Sequence, residues 1–171
     1  MIKTILINGF PKSGKDTFIE LCQENTTTRV HNFSTIDPLK NVLLSLGWDG
    51  TKSDEVRNFL FEFKERIEHM FQTSQKYIEK QLQWVKLIDS TSDRDQIVFI
   101  HCREPWQLTE FKKVFKSYNV STLLVVRSDM NSSLLEDCVI AKYSYDKVIN
   151  NFGTLEDLNE EAKKYMDLIG G

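Results

Sequence analysis

Cysteine is scarce and poorly placed for pairing. The 171 residues hold three, Cys22, Cys102 and Cys138, widely spaced, odd in number and without a CxxC. That pattern indicates neither a disulfide framework nor a zinc site. Positive charge is not in excess: 22 Lys and Arg stand against 25 Asp and Glu, for a net charge of −3. With no overall basic field to attract a nucleic-acid backbone, no nucleic-acid partner is expected. No apolar run approaches the roughly 20 residues that span a bilayer, and no basic leader with a cleavage site precedes the first apolar stretch. These absences point to a reduced, cytoplasmic protein without a membrane partner. What is present, 40% hydrophobic and 27% charged residues, is ordinary for a globular chain. The length suits one domain with a sizeable core.

The informative stretch is Gly9-Phe10-Pro11-Lys12-Ser13-Gly14-Lys15-Asp16-Thr17. It follows an apolar run, Ile2 to Ile7, and precedes a helical pattern through Phe18, Leu21 and Cys22. Strand, glycine loop, lysine and helix in that order make a phosphate cradle. The first glycine turns the chain, the loop N–H groups aim at phosphate oxygens, and the helix N-terminus adds partial positive charge. Lys15 supplies a mobile cation with the reach of the β- and γ-phosphates. Gly9, Lys12, Ser13, Gly14, Lys15, Asp16 and Thr17 are therefore the expected ATP-binding residues of the loop. One position departs from the usual pattern. The residue after the lysine is normally Ser or Thr, whose hydroxyl holds Mg²⁺; here it is Asp16.

The remaining elements read in order. Ile2–Asn8 suits a central parallel strand covered on both faces, and a helix is expected over Lys15–Glu24. Arg29–Phe33 reads as a short second strand. Asp37 and Pro38 open a helix as N-cap and first helical residue, with Leu39, Val42, Leu43 and Leu46 as its stripe and Gly47 as its end. Ser53 caps a long helix with Val56, Leu60, Phe63, Ile67 and Met70 on one face. Gln75–Asp89 is another, striped by Ile78, Leu82, Val85 and Ile88, with Trp84 as packing. Ile97–Cys102 is a second buried strand. Trp106–Tyr118 reads as a helix facing the sheet through Leu108, Phe111, Val114 and Phe115, and Val120–Val126 as another strand. Val148 and Ile149 are strand-like. Thr154 caps a closing helix with Asp157 as a capping-box variant, striped by Leu155, Leu158, Ala162, Tyr165 and Ile169.

Gly14-Lys15-Asp16-Thr17, with Asp in place of Ser or Thr, resembles the loop of bacteriophage deoxynucleoside monophosphate kinases. Phosphomevalonate kinase of the animal type carries a similar Gly-Lys-Asp loop, and both belong to the wider nucleoside monophosphate kinase-like group. Asp37-Pro38-Leu39-Lys40 is similar to an element of the family whose lysine lies near the donor and acceptor sites, which implies a role for Lys40. Arg57 fits the place of an arginine that grips the acceptor phosphate. Arg103 matches the arginine of an Asp-x-Arg element that binds the acceptor nucleotide, but His101 stands where the acid is usual. Asp16 is then a candidate to replace that acid as metal ligand, with Glu104 as a second, and His101 can equally be a satisfied histidine at a strand end. Arg127 matches the arginine that opens the lid over the donor phosphates, so Ser128–Asp137 is the expected lid. Asn151 and Gly153, in Asn150-Asn151-Phe152-Gly153-Thr154-Leu155, resemble the element of these kinases and of dephospho-CoA kinases that approaches the adenine of ATP.

The resulting expectation is a three-layer α/β/α P-loop kinase fold with a parallel sheet of about five strands. It has a helical acceptor-binding insertion over 36–89 and a short lid over 127–138. Expected cofactors are ATP and Mg²⁺. The expected reaction is phosphoryl transfer to a (deoxy)nucleoside monophosphate, with Lys15, Arg103 and Arg127 catalytic and Lys40, Arg57 and Arg103 on the acceptor. Two alternatives stay open: a kinase of another phosphorylated small molecule, such as dephospho-CoA or a phosphomevalonate-like acid, and a non-catalytic nucleotide-binding module. A homodimer is also left open.

Overall fold

The apolar run Ile2–Asn8 becomes the middle strand of a parallel sheet. The protein is described by a computed structural model covering residues 1–51, 53–89, 95–127, 140 and 142–170. The strands are β1 (Ile2–Asn8), β2 (Arg29–Ser34), β3 (Gln96–His101), β4 (Val120–Val126) and β5 (Lys147–Asn150), in the order β2-β3-β1-β4-β5, all parallel. The helices are α1 (Lys15–Glu24), α2 (Asp37–Ser45), α3 (Asp54–Phe71), α4 (Thr73–Asp89), α5 (Pro105–Val114) and α6 (Leu155–Ile169).

Strand side chains alternate between two faces, and each face has its own core. Ile5, Ile7, Ile97, Phe99, Leu123 and Val125 pack with Phe18 and Cys22 of α1 and Leu158 and Ala162 of α6. Leu6, Val98 and Ile100 pack oppositely, with Ile78, Leu82 and Val85 of α4 and Leu108 and Phe111 of α5. This is a three-layer α/β/α arrangement. Burying each Ile, Leu, Val or Phe side chain among these stabilises the fold by roughly 1.5–3 kcal/mol. Strand order reverses beside β1, and the carboxyl ends of strands at such a point flank a crevice where ligands bind.

Several elements differ from expectation for physical reasons. The helix expected over Trp106–Tyr118 ends as an α-helix at Val114 and tightens into a 3₁₀ turn at Lys116–Tyr118, leaving Val114 exposed. Asp37 is not the N-cap of α2. Ile36 holds that place, and the Asp37 carboxylate accepts from the Ser34 backbone N–H at 2.7 Å. β3 begins and ends one residue earlier than expected. On α2 only Leu39 is buried while Val42 and Leu46 are exposed; on α3, Met70 is exposed and Lys64 is buried beside Leu60. Trp84 is half exposed, its ring edge-on to His31 with centroids 5.5 Å apart. The Ser53 cap, with its side chain accepting from Val56 N–H, and the Thr154–Asp157 capping box form as read from the sequence. Residues 128–138, the expected lid, lie outside the described residues apart from the Arg127 that precedes them. Among the described residues no helix is long and apolar enough to cross a membrane.

Candidate active site

The site starts where β1 stops. The Asn8 side chain donates to the Arg103 carbonyl at 2.8 Å and accepts from the Gly9 N–H at 2.7 Å, joining the end of β1 to the chain leaving β3. The next six residues form the loop. Gly9 has φ +151°, and a Cβ there would lie 2.4 Å from the Val125 carbonyl oxygen. That neighbour is backbone and cannot step aside. Gly14 has φ +90°, and a Cβ there would meet the Asn151 amide nitrogen at 2.5 Å. The same amide donates to the Ser13 carbonyl at 3.0 Å, while the Asn151 N–H bonds to the Val126 carbonyl at 2.7 Å. Asn151 thus latches the loop to the ends of β4 and β5. Gly9→Ala should cost about 1–3 kcal/mol of stability, from strain at this φ and the clash. It should also weaken metal-free nucleotide binding, checked by thermal melting and calorimetry; a variant matching wild type in both would show that the loop has no need of its tight turn.

Lys15 is the first residue of α1, and its ammonium folds back across the loop. It donates to the Gly9 carbonyl at 2.6 Å and the Phe10 carbonyl at 2.8 Å, with Ser13 Oγ at 3.5 Å. Burial pushes its pKa down to about 8, against the attraction of Asp16 and with help from Arg103. Two neutral carbonyls are weak partners for a desolvated cation. A phosphate is a stronger one, because charge-assisted hydrogen bonds are roughly twice as strong.

Around this loop the structure gathers most of the residues singled out in the sequence. Asp16, in the first turn of α1 and 80% exposed, has its carboxylate 3.4 Å from Nε2 of His101, which is 18% exposed at the end of β3. Burial lowers the His101 pKa; Asp16 and Asp37 oppose that shift, and Lys15 and Lys40 reinforce it. Lys40 therefore shares this electrostatic neighbourhood, its Nζ 3.1 Å from Asp37. Arg103 follows β3, half-buried and near enough to depress Lys15. Thr17 is half-buried, Ser13 is buried and Lys12 is exposed. Arg127 stands exposed just past the carboxyl end of β4, and Arg57 is exposed in the first turn of α3.

Glu104 is engaged elsewhere. Its carboxylate lies 2.5 Å from Nζ of the buried Lys64, which also donates to Gln107 at 3.2 Å. The pair ties α3 to the start of α5, one residue from Arg103. Sequence reasoning missed Lys64, although its spacing of four from Leu60 on the buried side of α3 was a usable signal. Asn151 and Gly153 also line an open trough of about 450 Å³ between β5 and α6, whose lining includes no residue of the Gly9–Gly14 loop and not Lys15. The trough is a neighbour of the glycine loop and not part of it.

For a metal, the loop offers the Asp16 carboxylate and the Thr17 hydroxyl, hard oxygen donors suited to Mg²⁺. Among the described residues no group of three or more His, Cys, Asp or Glu could hold a metal ion. Such a donor set fits a cation that arrives with a nucleotide's phosphates, which is how Mg²⁺ is usually bound.

No protein-family model matches the chain, and no curated protein matches it. Solved structures do. The chain is similar to TT1252 from Thermus thermophilus (20% identity, 99% of each chain covered, TM-score 0.52). It is also similar to a sugar kinase from Janibacter (13% identity, 98% of this chain and 95% of that one, TM-score 0.55). A third likeness is the tunicamycin resistance protein of Deinococcus radiodurans (13% identity, 99% and 96% covered, TM-score 0.56). At these identities the likeness is one of fold, and the shared fold is the three-layer α/β/α arrangement around a parallel five-stranded sheet.

Proposed function

We propose that the protein is an ATP-dependent kinase whose acceptor is the phosphate of a (deoxy)nucleoside monophosphate. The observation that carries this reading is the glycine loop closed around the Lys15 ammonium, which lies on the Gly9 and Phe10 carbonyls, with Arg103 tied to the end of β1 by Asn8. The loop amides and Lys15 hold the β- and γ-phosphates of ATP, with Lys12, Ser13 and Thr17 beside them. Asp16 would hold Mg²⁺, which when bound neutralises charge on the donor oxygens. Asn151 fixes the loop, and the family resemblance assigns Gly153 to the segment that approaches the adenine. Arg57, Arg103 and Lys40 bind the acceptor phosphate, whose oxygen attacks the γ-phosphorus in line. The bond from the γ-phosphorus to the bridging oxygen breaks and ADP leaves. Arg103 and Arg127 stabilise the charge spread over the transferring group. No general base is needed, since positioning and charge supply most of the rate.

A panel of acceptors in a coupled ADP-release assay tests the reading. Deoxynucleoside monophosphates should support the fastest turnover. Preference for dephospho-CoA or phosphomevalonate would keep the chemistry and reassign the acceptor, and ADP release on none of them would remove the kinase. Arg57→Lys and Arg103→Lys should each raise the KM for the acceptor about tenfold or more, and the KM for ATP far less, because lysine cannot reproduce the bidentate fork on phosphate. An effect confined to ATP would put these arginines on the donor side.

A further inference from the structure

P-loop enzymes hold Mg²⁺ between two protein positions: the residue after the loop lysine, normally a hydroxyl, and an acid on a nearby strand. The two positions must converge. In this chain they do, with the chemistry exchanged. The carboxylate is on the loop, Asp16, and the strand end carries an imidazole, His101, 3.4 Å away. We propose that Asp16 and His101 are an exchanged metal-site pair, in which the loop supplies the anionic ligand and His101 is the positioning residue that holds it toward the phosphates.

The physical case begins with Asp16. It is 80% exposed, so its carboxylate is not fixed by packing. Beside a triphosphate it would be pushed away by like charge. Something must hold it in place for a cation to use it. His101 is suited to that task. It is mostly buried at the end of a fully paired strand, and the charges of Asp16, Lys15, Lys40 and Asp37 all act on its ring. A carboxylate only accepts, so Nε2 of His101 must be the donor. At 3.4 Å the exposed carboxylate lies just beyond the hydrogen-bond range of about 2.7–3.2 Å from this donor. An aspartate at 101 would instead have set two carboxylates against each other. The imidazole at 101 is thus the chemical complement of the acid at 16. Each substitution departs from the usual pattern, and together they restore one donor and one acceptor.

This inference rests on the proposed nucleotide binding, and the test separates the two. ADP affinity is measured by calorimetry with Mg²⁺ and with chelator, and the ratio is compared among variants, so that changes in metal-free binding cancel. Asp16→Ser and His101→Leu should each reduce the ratio by about tenfold, the low end of what loss of a metal's supporting group costs. His101→Gln, which keeps a neutral donor near the Nε2 position, should retain most of it. The double variant Asp16→Ser/His101→Asp, which rebuilds hydroxyl and acid in their usual places, should recover what Asp16→Ser loses. Circular dichroism and melting establish that each variant is folded; should His101→Asp misfold, the Leu and Gln pair alone decides. Equal ratios in wild type, His101→Leu and His101→Gln, or a double variant no better than the poorer single, would overturn the pair while nucleotide binding stands. Failure of wild type to bind ADP at all would overturn both.

Discussion

Lys15→Ala should lose phosphoryl transfer, by about 10²–10³-fold or more in kcat, the scale of removing a group that stabilises transition-state charge, while the protein stays folded. Lys12 is exposed, whereas the Lys15 ammonium lies inside the loop on the Gly9 and Phe10 carbonyls, so no other loop side chain can take its place. Its removal also takes away a cation whose charge burial disfavours. The linkage has a definite sign. The folded-state pKa, about 8, lies below the ordinary value of 10.5. Between these values the unfolded chain binds more protons, so stability rises with pH across that window. Wild type should therefore gain stability relative to Lys15→Ala as pH climbs above about 8, as read by denaturant titration at a series of pH values. Near-normal turnover in the folded variant would remove the P-loop reading.

Lys64→Ala should strongly destabilise the packing of α3 against the start of α5. It leaves the Glu104 carboxylate, 12% exposed, without its ammonium partner, and Gln107 Oε1 with only the weak Cys102 thiol as donor at 3.6 Å. Breaking a buried pair from one side costs about 3–5 kcal/mol. In a chain of this size that lowers Tm by on the order of 10 °C. Removing both charges with similar volume, Lys64→Met with Glu104→Gln, should recover most of the loss, because the cost lies in the orphaned charge. Thermal melts of the three proteins check this, and a single variant within about 1 kcal/mol of wild type would mean that water reaches the pair.

How much was legible in the sequence follows from how local each signal is. The loop, the helix after it, the buried strands and the Thr154 capping box are written in adjacent residues and period-two or helical spacing, and all formed. The stripes of α2 and α3 were read at the right spacing, but spacing does not say what lies opposite. Val42, Leu46 and Met70 are exposed. Lys64 sits in the core because a partner from the start of α5 meets it. Asp37 has good cap chemistry, yet its carboxylate turns back to Ser34, which leaves Ile36 at the cap. The site divides similarly. Lys15 and the glycines were readable from the loop alone. The Asn151 latch on Ser13 and the Asn8 bridge to Arg103 depend on strands that meet only in the folded sheet. Asp16 and His101 were each visible as a departure from pattern, and their contact between the start of α1 and the end of β3 was not.

The central claim is that this chain moves the γ-phosphate of ATP onto a phosphate group. The most direct test incubates the protein with γ-labelled ATP, Mg²⁺ and a mixture of deoxynucleoside monophosphates, and locates the label after separating the products. The label should appear as the terminal phosphate of a nucleoside diphosphate, in stoichiometry with ADP, and Lys15→Ala should give none. ATP that binds while its label stays on ATP or appears only as free phosphate would contradict it.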